Sequence, residues 1–131
     1  MREPFHPPAD SLDLAAILAA LSDPTRLTVL IRLAEADADV RCGDFTDLAT
    51  KSNLSYHFAK MREAGLVSLR NEGTSRFLAL RRDDIERQFP GLLDQLIASA
   101  KCMEHRTRSL QSAASPNASE SKPQRKRVRR A

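Results

Sequence analysis

At 131 residues, 41% of them hydrophobic, the chain can enclose one modest core, and two domains would leave each too small. No apolar run approaches the roughly 20 residues that span a bilayer, and the Pro-rich start lacks an apolar stretch ending in a small-residue cleavage site, so no membrane partner and a cytoplasmic location are expected. The formal net charge is +4, and two cysteines, Cys42 and Cys102, are too few for a disulfide framework and are reduced by default.

After a flexible start over 1–10, Ser11 precedes Leu12, Leu14, Ile17, Leu18 and Leu21, whose spacing of two to four predicts a helix that buries much of its circumference and needs a partner surface. Asp23 is placed to cap the next helix, with Pro24 at the first helical position, where its missing N–H costs nothing. Leu27, Leu30, Ile31 and Ala34 then follow as one buried stripe, and the helix fades over 36–39. Positions 44–49 allow a short helix with Phe45 and Leu48 inward. Thr50 caps a further helix whose Leu54, Phe58 and Met61 fall at i, i+4 and i+7, and Gly65 suits its C-terminal stop. Ser52, Asn53, Ser55, Tyr56, Ala59 and Lys60 are left on its other faces.

Positions 66–70 and 76–81, separated by Asn71-Glu72-Gly73-Thr74-Ser75, predict a β-hairpin with basic residues beside its tip. Beyond Pro90-Gly91, Leu92, Leu93, Leu96, Ile97 and Ala100 form another helical stripe running towards Met103. From about Ser112 the apolar periodicity ends and Ser, Pro, Asn and basic residues dominate, so 112–131 reads as a disordered basic tail behind a domain over 11–111.

Charge is unevenly spread. Positions 114–131 hold six basic residues against Glu120, and positions 50–82 hold seven against Glu63 and Glu72; each segment carries +5, which leaves −6 for the remainder. Positive charge therefore gathers on the second half of a helix-turn-helix, on the hairpin behind it and on the tail, where a polyanion would be met. The fold expected is mainly α with a small β-hairpin, a winged helix-turn-helix, and its partner is double-stranded DNA. On the reading helix, Ser52, Asn53, Ser55 and Tyr56 are the residues to approach bases or phosphates, with Lys51 and Lys60 on the backbone. His57 neighbours the core residue Phe58, so packing within the motif stands beside a phosphate contact as its role. Arg70 and Arg76 flank the hairpin tip, where they either meet phosphates or keep the hairpin soluble. The tail is either a nonspecific DNA tether or a solvated appendage.

Leu21-Ser22-Asp23-Pro24-Thr25-Arg26-Leu27 and Ser52-Asn53-Leu54-Ser55-Tyr56-His57-Phe58, continued by Arg62-Glu63-Ala64-Gly65-Leu66, resemble the second-helix opening and the recognition helix of the arsenic-resistance-type (ArsR) winged-helix repressors. The resemblance covers roughly 11–110. It implies a homodimer built from the first and last helices, here Leu14, Ile17, Leu18, Leu93, Leu96 and Ile97, with one recognition helix per protomer in successive major grooves. It also implies repression by operator occupancy, relieved by a small-molecule or redox effector.

The chain departs from the metal-sensing members of that family. Arg41-Cys42-Gly43-Asp44 has one Cys where they carry Cys-x-Cys, and Asp94-Gln95-Leu96 with His105-Arg106-Thr107-Arg108 lacks their last-helix histidine pattern. Adjacent Cys102, Glu104 and His105 cannot all face one ion, so no metal and no cofactor is expected. Cys42 and Cys102 are a candidate thiol switch, with Arg41 and Lys101 as neighbours able to lower the thiol pKa values; two idle cysteines are the alternative. With no phosphate-cradling glycine loop and no metal triad, an enzyme is not expected. The rival function is a winged-helix protein-interaction module without specific DNA binding.

Overall fold

The computed structural model describes residues 4–36 and 38–113, and the chain falls into two units, one through Ala98 and one from Ser99. The tail expected over 112–131 lies, from position 114, outside the described residues.

In the first unit the order is α1 (Leu14–Ala20), α2 (Pro24–Ala36), β1 (Val40–Arg41), a 3-10 turn (Cys42–Phe45), α3 (Lys51–Glu63), β2 (Val67–Glu72), β3 (Ser75–Leu80), α4 (Arg82–Gln88) and the start of α5 (Leu92–Ala113). The cap of α1 is Asp13, whose Oδ2 accepts from the Ala16 N–H at 3.3 Å; Ser11 belongs instead to a 3-10 turn, Ala9–Ser11, and donates to the Pro8 carbonyl. Asp23 caps α2 as its sequence position requires, accepting from the N–H groups of Thr25 and Arg26 at 2.9 and 3.2 Å. Thr50 Oγ1 does the same for α3, taking the Asn53 N–H at 3.2 Å.

Helix α3 stops through paired bonds: Gly65 N–H to the Arg62 carbonyl and Leu66 N–H to the Met61 carbonyl, both at 3.0 Å, with Gly65 at φ 89°. That is a Schellman closure, and it needs a residue that tolerates positive φ. A Cβ on Gly65 would also lie 2.3 Å from Cδ2 of Leu12, so any larger residue there must displace that side chain.

The sheet is antiparallel in the order β1-β3-β2. Val67 pairs with Leu80 and Glu72 with Ser75, while β1 joins through Val40 opposite Leu78. The hairpin tip is tighter than its sequence implies: Gly73 at φ 63° lets the chain reverse over two residues, so β2 runs on to Glu72 and β3 begins at Ser75, while the far ends fall one residue short of 66 and 81. Strand β1 and helix α4 carry no periodic signal of their own, being two residues long and anchored by Ile85 with Phe89 respectively.

Ile17, Val29, Leu30, Leu33, Phe45, Phe58, Met61, Leu66, Leu78, Ile85 and Leu93 form one buried cluster, with Phe45 edge-on to Phe58 at 5.5 Å between ring centres. Helices α1 to α5, the 3-10 turn Cys42–Phe45 and strands β2 and β3 each put at least one side chain there, which ties the reading helix to the hairpin through their apolar faces. Five helices and a small three-stranded antiparallel sheet in this arrangement are a winged helix. The second unit, from Ser99, is helical through Ala113, with Cys102 and Met103 exposed and an i,i+4 ion pair between Arg108 and Glu104 at 3.6 Å.

Over the part described, the start of the chain is hydrogen-bonded to the domain. Residues 5–7 each hydrogen-bond to the body of the domain, and Leu12 is buried against the α3–β2 junction.

Candidate nucleic-acid interface

Helix α3 buries Leu54, Phe58 and Met61 and turns Lys51, Ser52, Asn53, Ser55, Tyr56 and Lys60 to solvent. The i, i+4, i+7 burial leaves a contiguous strip of hydroxyl, amide and ammonium groups, suited to base edges and phosphates. Tyr56 is 57% exposed, and Lys60 Nζ lies 5.5 Å from its ring centre, so the ring and the ammonium one turn on present as a unit. At the other end of the helix, Lys51 and Ser55 share a cleft of about 110 Å³ with Cys42 and with Arg76 of β3, which brings the wing beside the first turns of α3.

His57 is not on that strip. Its Nδ1 is 2.8 Å from Arg26 Nη1 and 3.9 Å from Asp23 Oδ2, and its side chain is 14% exposed. Arg26 Nε also donates to the Ala20 carbonyl at the end of α1. The Asp-Pro-Thr-Arg stretch thus clasps α1, α2 and α3 together through a cap, a carbonyl and an imidazole, with His57 packed within the motif. Arg26 was missed as a member of this group, and an Arg in the first turn of α2 facing a His in α3 is visible only in three dimensions.

Arg70 has partners within its own sheet. Its guanidinium donates to Asp39 Oδ2 at 2.7 Å and to Glu72 Oε1 at 2.9 Å, and it stacks over Phe77 with Cζ 4.7 Å from the ring centre. Two carboxylates and a ring hold it, which ties it to its own sheet. Much of the positive charge on 50–82 is likewise consumed: Arg62 and Arg81 bond backbone carbonyls, and Arg82 pairs with Asp94 at 3.3 Å. Among the described residues Lys51 and Arg76 have no carboxylate within ion-pair distance, and these two, with Lys60, are the cations turned outward on the helix and hairpin.

The residues named for dimerisation divide. Ile17, Leu93 and Ile97 are buried in the protomer's own core and Leu96 packs against it, because a domain this small needs them there. Leu14 and Leu18, 41% and 45% exposed, are the apolar surface that α1 leaves over.

Burial raises the Cys42 thiol above its ordinary pKa and outweighs the opposing positive charge, which comes from Arg76 and not from Arg41. Cys42 is half-buried, whereas Cys102 is exposed in the second unit. Among the described residues no group of three His, Cys, Asp or Glu side chains could hold a metal ion, and no single helix is long and apolar enough to cross a membrane.

A capped reading helix with a polar outer strip, backed by a hairpin that sets one arginine beside it, defines a winged helix-turn-helix of the DNA-binding class. The uncharacterized HTH-type transcriptional regulator YceK of Bacillus subtilis (strain 168) is 34% identical over 84 residues, 63% of this chain and 84% of that protein. MJ1325 of Methanocaldococcus jannaschii, also an uncharacterized HTH-type transcriptional regulator, is 35% identical over 83 residues, 63% of this chain and 92% of that protein. The crystal structure of Rv0081 of M. tuberculosis superposes with a TM-score of 0.52 at 26% identity, covering 76% of this chain and 92% of that one. No protein-family model matches the chain. The chain belongs to the HTH-type transcriptional regulators, a family of DNA-binding regulators and not of enzymes.

Proposed function

We propose that the protein is an ArsR-type repressor that acts in the cytoplasm and occupies operator DNA as a homodimer. Residues 11–111 would bind and dimerise, and the basic tail over 112–131 would add phosphate contacts. The observation that carries this reading is the exposed strip of α3 meeting Arg76 of the wing at a shared cleft. In it, Ser52, Asn53, Ser55 and Tyr56 read base edges, while Lys51, Lys60 and Arg76 hold phosphates. Leu14 and Leu18 of α1 supply the apolar contact to the second copy. Release follows an effector, and a thiol-directed signal would begin at Cys102, the exposed sulfur.

Recovery of the DNA bound across the genome tests the reading, since it yields the operator and the genes beside it. On that operator, Asn53→Ala and Ser55→Ala should lose more affinity than on random DNA, about 1–3 kcal/mol per lost base contact, and Arg76→Ala should weaken both by similar factors. Equal losses for all three variants would remove direct readout by α3. Absence of any enriched DNA would favour the protein-interaction module.

A further inference from the structure

Three consecutive residues near the start of the chain reach three parts of the proposed DNA-facing half. The Phe5 carbonyl accepts from Arg62 Nη1 on α3. His6 Nε2 accepts from the backbone N–H of Leu69, on β2, at 2.9 Å. The Pro7 carbonyl accepts from Arg81 Nη1 at 2.8 Å, where the chain leaves β3. Strand β2 is the outer strand of the sheet, so the Leu69 N–H points away from β3 and has His6 as its acceptor. Leu12, buried against Gly65, anchors the far end of the segment at the joint between α3 and β2.

The bond to His6 has a chemical condition. A backbone N–H can only donate, so Nε2 must offer a lone pair, and an imidazolium has none to offer. Arg62 of α3 and Arg81 ahead of α4 grip the carbonyls on either side of His6. Glu63 stands 3.9 Å from Arg62, and Asp84 of α4 3.1 Å from Arg81. From β2, Arg70 is bound to Asp39 and Glu72, and on the segment itself Asp10 is exposed.

We propose that residues 5–7 are a strap that fixes the wing against the recognition helix, with His6 as a pH-sensitive pin, so that protonation of His6 frees the wing edge and weakens DNA binding. His6 is a positioning residue, acting on DNA only through Leu69 and the strand it belongs to. The DNA half of the proposal rests on the DNA-binding reading above; the strap itself does not.

The sign of the effect separates it from plain electrostatics. A surface histidine that gains positive charge as pH falls attracts a polyanion more strongly, whereas the strap makes the protonated protein the weaker binder. The test uses the full chain, wild type and His6→Gln, whose amide oxygen accepts the Leu69 N–H without titrating. Affinity for a random-sequence duplex is measured between about pH 8 and pH 5.5 at fixed ionic strength. The ratio of wild-type Kd to H6Q Kd should rise about threefold to tenfold across that range, the worth of one hydrogen bond. A flat or falling ratio overturns the proposal. In parallel, the wild-type Leu69 amide resonance is followed without DNA; it should move with the midpoint of the His6 ring, and a Leu69 signal indifferent to that midpoint also overturns it. If neither protein binds DNA at any pH, the DNA reading falls and the Leu69 titration alone decides the strap, as it also does should H6Q not fold.

Discussion

Arg70 and Asp39 belong to opposite edges of the wing sheet, one on β2 and one at the entry to β1, yet Nη2 and Oδ2 meet at 2.7 Å across the face of β3. Phe77, on the strand between, supplies the surface over which the guanidinium lies. The sheet's three strands are thereby tied by one side chain.

That arrangement separates two arginines that look alike in sequence. Arg76→Ala should lower the slope of log affinity against log salt by about one, the signature of one lost phosphate contact. Arg70→Ala should leave the slope unchanged and alter instead the chemical shifts of β1 and β3. Salt titrations of the two variants on one duplex check this, and equal slope changes would return Arg70 to the DNA.

Gly65 carries two constraints and Gly73 one. Gly65→Ala meets a positive φ and the Leu12 side chain, and should cost about 2–4 kcal/mol from backbone strain and overpacking together. Gly73→Ala, at φ 63° with nothing within 4 Å, should cost only about 1–2 kcal/mol. Urea denaturation of both variants compares them directly, and similar losses would mean that Leu12 yields freely.

Asp47 accepts both terminal nitrogens of Arg32, at 2.9 and 2.6 Å, and that hydrogen-bonded pairing holds its carboxyl below the usual aspartate range. A folded pKa lower than the unfolded one contributes stability above the unfolded value, about 3.9, and loses it as pH falls through the folded value. The carboxyl resonance of Asp47 should therefore titrate below an ordinary Asp, and Arg32→Ala should return it to normal. An unchanged midpoint in the variant would assign the shift to something other than Arg32.

The two thiols should differ in reactivity at neutral pH. Cys102 is exposed, while Cys42 is half-buried and kept protonated by that burial, so a maleimide should label Cys102 first. Cys42 should catch up only as pH rises into the alkaline range, since thiolate is the reacting form. Mass spectrometry of partially labelled protein reads the order, and faster labelling of Cys42 would reinstate it as the reactive partner of a thiol switch.

Helix identities and caps were legible because their causes are local. Leu54, Phe58 and Met61 announce a buried face, Thr50 and Gly65 mark its ends, and Asp23-Pro24 opens α2, all within a few residues of where they act. The same locality exposed the polar strip of α3. What stayed hidden depends on contacts made across long stretches of chain. His57 is claimed by Arg26 and Arg70 by Asp39, each 31 residues away, and His6 by Leu69, 63 residues away. A histidine or arginine carries the same donors wherever it sits, and only the partner decides whether they face solvent. The Pro-rich start is a related case: over the residues described it forms no long helix or strand, and its carbonyls and one imidazole are what the domain uses.

Among the described residues strand β2 has a strand neighbour on one side only, and an uncovered strand flank invites pairing with a stranger chain. The residues lying along it, His6 among them, occupy at least one of the backbone groups through which such pairing would start. Deleting positions 1–8 should therefore do more than soften the wing: it should make the protein prone to self-association through β2, growing with concentration and suppressed by a lysine placed on that flank.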